Sequence, residues 1–450
     1  MKIYKVKIFS LKIGGGIKVR RFSKFLLISI IIVAASFGLF ELSSKYKVNI
    51  LKSNINWSIE AKNCRNAVSF DKDGKNTYVA YENYVKVLKD EGREEILFSD
   101  EALKIEDIIF YEGKLYIISG DKLYNYDLYK SELNVMISNI PYVGEYLDRK
   151  IIIKDNNLLI AIGSATNSGI ADNDGAYDIN NIPYDKSPIN ITLSGKNYGE
   201  SKTGAFMPYG NSSAEGQKIE AEKLANASIV EVNLSNNKIS LYACGIRNIT
   251  GWDLDNNNNL ICVVGGMENI GSRPINRDFD YLYKIEKGKW YGWPDYSGGD
   301  LISSPRFKDK QKNSRIILNP PNKTVAPPMY QFSDVGTIKY LGIDKEGEIL
   351  EKDSCVYYDK KEKMIYSINE NGVKHKLLKL KDESIIKGIR IKNGSVYILD
   401  SGIGCVYKLQ SKNNGIVFNL PKEVCIFILI LLFILVCLFI LKLNNKKSLK

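Results

Sequence analysis

Among the side chains that could carry out chemistry, histidine is the scarcest, because the 450-residue chain contains only His375. Imidazole is the base whose ordinary pKa lies closest to neutral pH, so its position limits the available acid–base chemistry. A single histidine excludes a histidine-rich zinc site and an H-E-x-x-H motif, and a Ser-His-Asp triad would have to use His375. Since His375 lies between two lysines, we expect it at a solvated strand position. The sequence also contains no P-loop and no dinucleotide-binding glycine motif.

Oxygen ligands for a calcium ion occur in one short segment. Asp253 and Asp255 are followed by asparagines at every position from 256 to 259, and carboxylate and amide oxygens are ligands that calcium prefers. Asparagine and aspartate are also frequent in tight turns, because they tolerate left-handed backbone conformations. The sequence favours the hairpin turn over the calcium site.

Two further segments combine polar and aromatic residues at a distinctive spacing. Residues 242–251 read Tyr-Ala-Cys-Gly-Ile-Arg-Asn-Ile-Thr-Gly, and residues 271–299 contain Trp-Tyr-Gly-Trp-Pro at 290–294. Together with segments 149–167 and 227–233, they resemble the glucose/sorbosone dehydrogenase family. The resemblance covers roughly residues 140–300 well. It implies a β-propeller that holds pyrroloquinoline quinone (PQQ) near a calcium ion.

The same resemblance assigns roles to individual residues. Arg247 and Asn248 match the family's Arg-Asn pair at the cofactor. The family's catalytic histidine takes the hydroxyl proton of a sugar while hydride passes to PQQ, and it opens a His-x-Gly-Gly-Arg pattern. Here the pattern reads Glu145-Tyr-Leu-Asp-Arg149, so Glu145 replaces the base and both glycines are lost. A carboxylate with an ordinary pKa of ~4.3 is a weaker base than imidazole, which indicates a divergent member without the usual catalytic base.

Other interpretations of these residues remain open. The family's pair of basic cofactor residues falls on Ile385 and Lys387, so Lys387 is the one cation that remains of the pair. Arg247 could instead pair with a carboxylate between blades, while Glu145 and Lys387 could be solvated surface residues. The aromatic run could simply pack a blade edge through Trp290, Trp293 and Pro294.

A turn rich in Asp, Asn or Gly followed by an apolar strand recurs along the chain. Strands must therefore position the candidate site residues. The copies lie at 71–80, 111–119, 154–162, 256–264 and 392–400. The first three are spaced by roughly 40 residues, as propeller blades are. Repeat and resemblance together predict an all-β, six-bladed propeller over about 55–412, with the first and last strands in one blade. A pair of irregular β-sandwiches is the alternative.

Residues 164–226 interrupt the repeat. They are rich in Gly, Asn, Ser and Asp, and so long a segment between two repeats is typical of a functional or mobile loop. We therefore expect an elaborated loop over one face of the propeller, with a short helix near 214–225.

The charge distribution indicates a membrane rather than a nucleic-acid partner. The net charge is +12, but residues 1–24 carry eight Lys/Arg and residues 442–450 carry four, which leaves 51 basic and 51 acidic residues elsewhere. Basic flanks beside apolar runs are a topology signal. We expect basic cytoplasmic tails at 1–24 and 442–450, a transmembrane helix or signal anchor at 25–41 and a transmembrane helix at 424–441. Residues 42–423 would then be extracytoplasmic at the cell membrane, with both termini cytoplasmic. A cleaved signal peptide is the alternative for the first run.

Five cysteines fall in the outer domain: Cys64, Cys244, Cys262, Cys355 and Cys405. Their number is odd and their spacing specifies no pairing, so a Cys355–Cys405 or Cys64–Cys405 bridge and buried free thiols all stay open.

Three functions are compatible with these observations. The first is a membrane-anchored propeller that lacks the usual base and binds a ligand or partner, such as a sugar or an envelope component. The second is a PQQ- and calcium-dependent sugar dehydrogenase that uses Glu145 or a rearranged site. The third is a structural or assembly protein of the cell envelope. A common fold cannot choose among them.

Overall fold

The structure is a computed structural model that describes residues 45–89, 92–307, 313–322 and 324–412, together with Ile31 and six residues between 427 and 435. Residues Val48–Asn414 form one compact unit, and residues 1–47 and 415–450 form a second. Within the described residues, no helix combines the length and apolar character needed to cross a bilayer. The predicted spans at 25–41 and 424–441 and the two basic tails lie almost entirely outside the described residues.

The unit Val48–Asn414 is a six-bladed β-propeller, as predicted, and not a pair of sandwiches. Two strands come first, β1 (Asn49–Ile50) and β2 (Ile55–Lys62). Blade 1 contains β3 (Ser69–Lys72), β4 (Thr77–Ala80), β5 (Tyr84–Leu88) and β6 (Glu94–Ser99). Blade 2 contains β7 (Ile105–Tyr111), β8 (Lys114–Ser119), β9 (Lys122–Asp127) and β10 (Glu132–Ile137).

Blades 3 and 4 are interrupted by additional segments. Blade 3 begins with β11 (Tyr146–Lys154) and β12 (Asn157–Ser164). An insertion then contains β13 (Ile191–Ser194), β14 (Asn197–Tyr198), β15 (Thr203–Gly204) and β16 (Glu215–Ile219), before the blade ends with β17 (Ser228–Asn233) and β18 (Ile239–Cys244). Blade 4 contains β19 (Ile249–Leu254), β20 (Leu260–Val264) and β21 (Tyr281–Ile285) and, after the hairpin of β22 (Tyr296–Ser297) and β23 (Asp300–Leu301), β24 (Tyr330–Gln331). Short 3-10 helices form at Ile179–Asn181 and Pro305–Phe307.

Blades 5 and 6 close the ring. Blade 5 contains β25 (Ile338–Asp344), β26 (Ser354–Asp359), β27 (Met364–Ile368) and β28 (Lys374–Lys379), and β1 pairs with the outer edge of β28. Blade 6 contains β29 (Ile386–Lys392), β30 (Ser395–Asp400) and β31 (Cys405–Ser411). Its fourth strand is β2, which pairs antiparallel with β31 from Ile55 opposite Ser411 to Lys62 opposite Cys405. The first and last propeller strands therefore lie in one blade, as predicted.

Each copy of the recurring sequence phrase forms the hairpin between the first two strands of a blade. The turns use left-handed backbone conformations, with φ of 58° at Asn156, 59° at Asn258 and 48° at Asn393. Asparagine tolerates this conformation better than most residues, which explains the composition of the turns. Asp255 accepts hydrogen bonds from the main-chain and side-chain nitrogens of Asn259, both at 2.7 Å, so the Asp/Asn-rich segment is a hairpin turn.

Aspartates on the innermost strands join neighbouring blades. In three blades, such a carboxylate accepts a hydrogen bond from a backbone amide in the innermost strand of the following blade. The pairs are Asp71 with Phe110 (2.8 Å), Asp107 with Ile151 (3.1 Å) and Asp253 with Ile343 (2.9 Å). Arg390 and Lys392 of β29 add ion pairs across the centre, with Arg390 Nη2 3.3 Å from Asp107 and Lys392 Nζ 2.7 Å from Asp71. The centre of the propeller is thus crossed by ion pairs.

The face at which the innermost strands begin is called the upper face. Because adjacent strands in each blade are antiparallel, this face also carries the loops that join second and third strands, including the insertion at 165–227. The helix expected near 214–225 is wrong, since β16 lies there and pairs with β13. Gly216 adopts a φ of 80°, which a helix interior does not allow, and Ile191 opposite Ile219 is buried.

All five cysteines of the propeller are buried thiols outside any disulfide bond, which decides against the two bridges left open by the sequence. Burial raises the pKa of Cys64 to about 11 and those of Cys244 and Cys355 to about 12. Since the thiolate is the reactive form, these cysteines act as small apolar core residues.

Candidate functional site

Arg247 is held inside the upper face by an amide and an aromatic ring. It lies in the loop between β18 and β19 and is only 4% exposed. Its Nε donates to the main-chain oxygen of Asn167 (3.0 Å), and its Nη2 donates to the side-chain oxygen of the same residue (2.9 Å). The ring of Tyr146 covers the guanidinium, whose Cζ is 3.7 Å from the ring centroid. Arg247 is therefore bound by an amide rather than by a carboxylate between blades.

Glu145 lies beside that ring on an exposed loop. The Tyr146 hydroxyl donates to Glu145 Oε1 (3.0 Å), and it is also 3.5 Å from Glu268 Oε2. Partial burial of the carboxyl raises the pKa of Glu145, and the charges of Asp174 and Glu268 raise it further. The Tyr146 hydrogen bond and the Arg247 charge oppose that shift. Glu145 is thus a partly shielded carboxylate whose nearest hydrogen-bond partner is a phenol.

Asn248 lies next to Arg247 but contacts a different set of residues. Its Nδ2 donates to Asp148 Oδ2 (3.0 Å), and Lys339 Nζ donates to the same oxygen (2.8 Å). Burial alone would raise the pKa of Asp148, but the charges of Lys339 and Lys150 outweigh it and lower the pKa to about 2. Among the described residues, the buried Asn248 Oδ1 has no hydrogen-bond partner.

Lys387 lies apart from these residues, at the upper mouth of the central channel. It lines a space of about 30 Å³ together with Glu106, Lys150, Tyr340 and Arg390. This volume is close to that of a single water molecule. The structure therefore brings Glu145 and Arg247 together around Tyr146, joins Asn248 to Asp148, and places Lys387 at a separate position.

A larger cleft opens beside Glu145, between the loop that carries this residue and the insertion. Its volume is about 130 Å³, and its lining includes Glu145, Asn167, Asp172, Asp174 and Tyr177. The sequence indicated a functional loop at 164–226 but not which of its residues meet Glu145. Nor did the sequence locate the Tyr146 ring over Arg247, because that contact joins the start of β11 to a loop that is distant in the chain.

The first part of the insertion is held together by Asp185 and is anchored to blade 4 through Asn167. Asp185 is 1% exposed and accepts hydrogen bonds from the Ala165 amide (2.6 Å) and the Thr166 hydroxyl. Burial raises the pKa of Asp185 to about 7, although these hydrogen bonds oppose the shift. The Asn167 side chain then donates to the main-chain oxygen of Glu268 (2.7 Å). These contacts fix the turn that presents Asn167 to Arg247.

The Trp-Tyr-Gly-Trp-Pro run forms the core beneath the insertion. Residues 289–293 run alongside the end of β18, where Tyr291 N donates to the Cys244 carbonyl oxygen (2.8 Å). Trp290 and Trp293 are buried there among residues of the insertion. Below them, Arg273 and Asp295 form a buried ion pair of 2.8 Å, with side chains 0% and 2% exposed. The run therefore packs against a blade edge.

Gly245 is required by this packing. It adopts a φ of 68°, and a Cβ at this position would lie 2.4 Å from Trp290 Nε1 and 2.9 Å from the Gly292 amide nitrogen. We expect Gly245→Ala to lower the free energy of unfolding by about 1–3 kcal/mol through backbone strain and overpacking. The measurement is urea denaturation, with Gly74→Ala as the control because nothing lies within 4 Å of a Cβ there. Equal stability of the two variants would contradict this role for Gly245.

The part of the chain that the structure describes shows no cluster of acidic side chains that could hold a calcium ion. No group of three or more acidic, histidine or cysteine side chains there has the geometry to hold a metal ion. Asp253 Oδ2 accepts from the Ile343 amide, and Asp255 belongs to the hairpin turn. Both contacts agree with the prediction from the sequence that this segment is a hairpin turn.

The fold has counterparts among solved structures, whereas no family model and no curated protein sequence matches the chain. The PQQ domain of pyranose dehydrogenase from Coprinopsis cinerea, in its holo form, superposes with a TM-score of 0.53 at 11% identity, covering 81% of this chain and 97% of that one. PQQ-bound aldose sugar dehydrogenase from Streptomyces coelicolor gives 0.49 at 12% identity, covering 80% and 99%. Virginiamycin B lyase from Staphylococcus aureus gives 0.40 at 10% identity, covering 79% and 98%. At these identities the likeness shows the propeller fold alone.

In the observed arrangement, the residues at the upper face do not fit PQQ. This cofactor is a large planar tricarboxylate, and pockets for small-molecule ligands and cofactors have volumes of ~300–1,000 Å³. The channel mouth measures about 30 Å³, and the larger cleft of about 130 Å³ is lined by the carboxylates of Glu145, Asp172 and Asp174. Arg247, the expected cofactor ligand, is already covered by Tyr146.

Proposed function

We propose that this chain is a divergent propeller of the glucose/sorbosone dehydrogenase type that binds a hydroxyl-rich ligand, such as a sugar or an envelope glycan, at its upper face and does not oxidise it. The observation that carries the proposal is the state of Arg247. Its guanidinium is hydrogen-bonded to Asn167 and stacked on Tyr146, so it is not available to a quinone oxygen. Oxidation would need positive charge at that oxygen as well as a base.

The cleft supplies the chemistry for binding. Its carboxylates are hydrogen-bond acceptors that suit hydroxyl donors, and its lining also includes the tyrosine ring of Tyr177 and the apolar side chain of Ile270. A polar ligand held by several such acceptors needs no base and no cofactor. Binding alone is therefore the function that requires the fewest changes to the observed geometry.

We also propose that the propeller is extracytoplasmic and anchored to the cell membrane by residues 25–41 and 424–441, with both termini cytoplasmic. Support comes from the 16-residue uncharged run 25–40 and the 18-residue uncharged run 424–441, each with basic residues on its outer flank. Alkaline extraction of membranes from expressing cells tests the anchoring independently of any ligand. Release of the intact chain into the supernatant would contradict it.

Two other functions compete with this proposal. A PQQ-dependent sugar dehydrogenase remains the alternative that the fold likeness favours, since two of the similar solved structures hold PQQ. That function would require the Tyr146 ring to leave Arg247 before the cofactor could bind. A structural or assembly role in the envelope would need no cleft at all. Ligand binding therefore distinguishes that role from the proposed binding function.

The test is a thermal-shift titration of the purified protein with PQQ plus calcium, and separately with glucose, glucosamine and gluconate. We expect no stabilisation and no bound-cofactor absorbance with PQQ. Occupation of the cleft at 100 times the dissociation constant should stabilise the protein by about 2.7 kcal/mol, and we expect this for at least one of the uncharged or cationic sugars. Gluconate should bind least, because the cleft is lined by carboxylates.

The variant Glu145→Gln/Asp174→Asn should change that sugar response, whereas Asp382→Asn, an exposed position on another loop of the upper face, should not. Saturable PQQ binding would overturn the proposal in favour of the dehydrogenase. A flat response to every sugar would favour the envelope role.

A further inference from the structure

The outer edge of blade 5 carries a group of exposed lysines. Lys374, Lys376 and Lys379 are exposed on β28, and β1 pairs with the same strand through Asn49 opposite Lys379. The chain continues from β1 into a turn that carries Lys52, and Lys412 joins this turn because its amide donates to the Asn54 carbonyl oxygen (2.7 Å). We call the set Lys52, Lys374, Lys376, Lys379 and Lys412 the basic edge.

These lysines are not neutralised by neighbouring acids. Lys374 Nζ lies 3.8 Å from the centroid of the Tyr366 ring, and Lys379 Nζ donates to the main-chain oxygen of Glu362. Among the described residues, none of the five lysines of the basic edge forms an ion pair. The acidic side chains nearest to β28 in the chain are the exposed Glu370, Asp382 and Glu383, and the Glu362 carboxylate accepts from the Tyr366 hydroxyl. The edge therefore keeps an excess of positive charge.

The outer edges of blades 1 and 2 differ from the basic edge. The outermost strand of blade 1, β6, exposes Glu94 and Glu95, which pair with Lys86 and Lys89, and that of blade 2, β10, exposes Glu132. The basic edge also exposes two apolar side chains, Leu51 (44%) and Val373 (47%). Lysines around a few exposed apolar groups match a surface of anionic headgroups over hydrocarbon.

The chain enters and leaves the propeller at this edge. Val48 directly precedes β1, and only residues 42–47 separate it from the apolar run 25–41. Residues 415–423 separate Asn414 from the second run at 424–441. At ~3.5 Å per residue, these linkers span at most about 25 Å and about 35 Å. A bilayer that holds the two runs is therefore within reach of the basic edge.

We propose that the basic edge binds the anionic headgroups of a lipid surface, which would turn blade 5 towards the membrane. The inference rests on the proposed membrane anchoring. An acidic polymer of the envelope would be attracted by the same charges, but the short linkers place a lipid surface closer to this edge. The upper-face cleft plays no part in the contact.

The experiment uses the full chain in nanodiscs made either of neutral phosphatidylcholine or with about 30% phosphatidylglycerol, a content that gives a negative surface potential. Lysine acetylation rates are read by mass spectrometry. We expect Lys374, Lys376 and Lys379 to react about fivefold more slowly on the anionic discs, and high salt to remove the difference. Exposed lysines elsewhere on the propeller, Lys130, Lys218 and Lys238, serve as controls in the same sample and should react equally on both discs.

A variant separates the edge from general charge effects. The triple change Lys374→Glu, Lys376→Glu and Lys379→Glu should abolish the protection of Lys52 and Lys412. The matched triple change to Glu at Lys130, Lys218 and Lys238 should leave that protection intact. Equal rates on both lipids, or equal protection of the control lysines, would overturn the proposal. So would retention on heparin without lipid protection, which would assign the edge to an acidic polymer. Failure of the chain to co-elute even with neutral discs would instead contradict the anchoring and remove the basis of the inference.

Discussion

Supplied with PQQ and calcium, the purified protein should oxidise glucose at least about 10²–10⁴ times more slowly than a sugar dehydrogenase that keeps its histidine, because loss of a general base alone removes that much rate. Glu145 stands where the base is expected, and its carboxyl is hydrogen-bonded to the Tyr146 hydroxyl. Arg247 is covered as well, so both the base and the charge that would stabilise a reduced quinone are out of place. The measurement is dye-linked turnover of glucose.

Replacing the base alone should not restore this activity. We expect Glu145→His to remain within about tenfold of the unmodified protein, because the electrostatic stabilisation that usually contributes most is still missing. The control is Asp382→His, which adds a histidine to another loop of the upper face. Glucose turnover by the unmodified protein at a rate ordinary for such enzymes would refute the binding-only function. A large gain from Glu145→His alone would show that Tyr146 does not block the cofactor.

The variant Arg273→Ala should lower the free energy of unfolding by about 3–5 kcal/mol, the usual effect of leaving one partner of a buried ion pair without the other. Arg273 donates to Asp295 and to the carbonyl oxygens of Ser168, Pro294 and Ser314 at 2.7–3.1 Å. Its loss would leave the Asp295 carboxylate buried without a counter-charge, and the Ser168 carbonyl oxygen of the insertion would lose the donor that links it to Asp295 and Ser314.

Chemical denaturation followed by tryptophan fluorescence measures this effect, because Trp290 and Trp293 lie in the same core. The matched control is Arg65→Ala, an exposed arginine on the upper face, whose replacement should change stability by no more than about 0.5 kcal/mol. A loss below about 1 kcal/mol for Arg273→Ala would mean that water or a rearranged neighbour replaces the ion pair.

The blades could be predicted from the sequence where their first hairpin is short. In five blades a tight turn of Asn, Asp or Gly joins two apolar strands, and the same local phrase recurs. The recurring phrase does not predict blade 5, because the nine-residue loop 345–353 separates β25 from β26. Its carboxylate at Asp344 accepts instead from the amides of Glu348, Ile349 and Leu350 within that loop. The pattern is local, so a longer loop hides it.

The candidate site was predicted less well, for a physical reason. Resemblance located Glu145 and Arg247, but their chemistry depends on Tyr146 and Asn167, which meet them across different blades and the insertion. Such contacts between distant segments leave no spacing in the sequence. Lys387 was grouped with Arg247 by resemblance, whereas the structure puts it at the channel mouth among other charged side chains.

The pairing of β2 with β31 sets the order in which the chain can mature. β2 is synthesised before blade 1, yet its partner is the last strand of the propeller. Until Cys405–Ser411 emerges, β2 has a free backbone edge, and blades 1–5 form an open arc whose two end faces are unprotected. Contacts of such long sequence separation form slowly, so an unfinished or truncated chain would be prone to pair with other molecules. Deleting β31 should therefore expose both ends of the arc at once and yield aggregates rather than a smaller stable propeller.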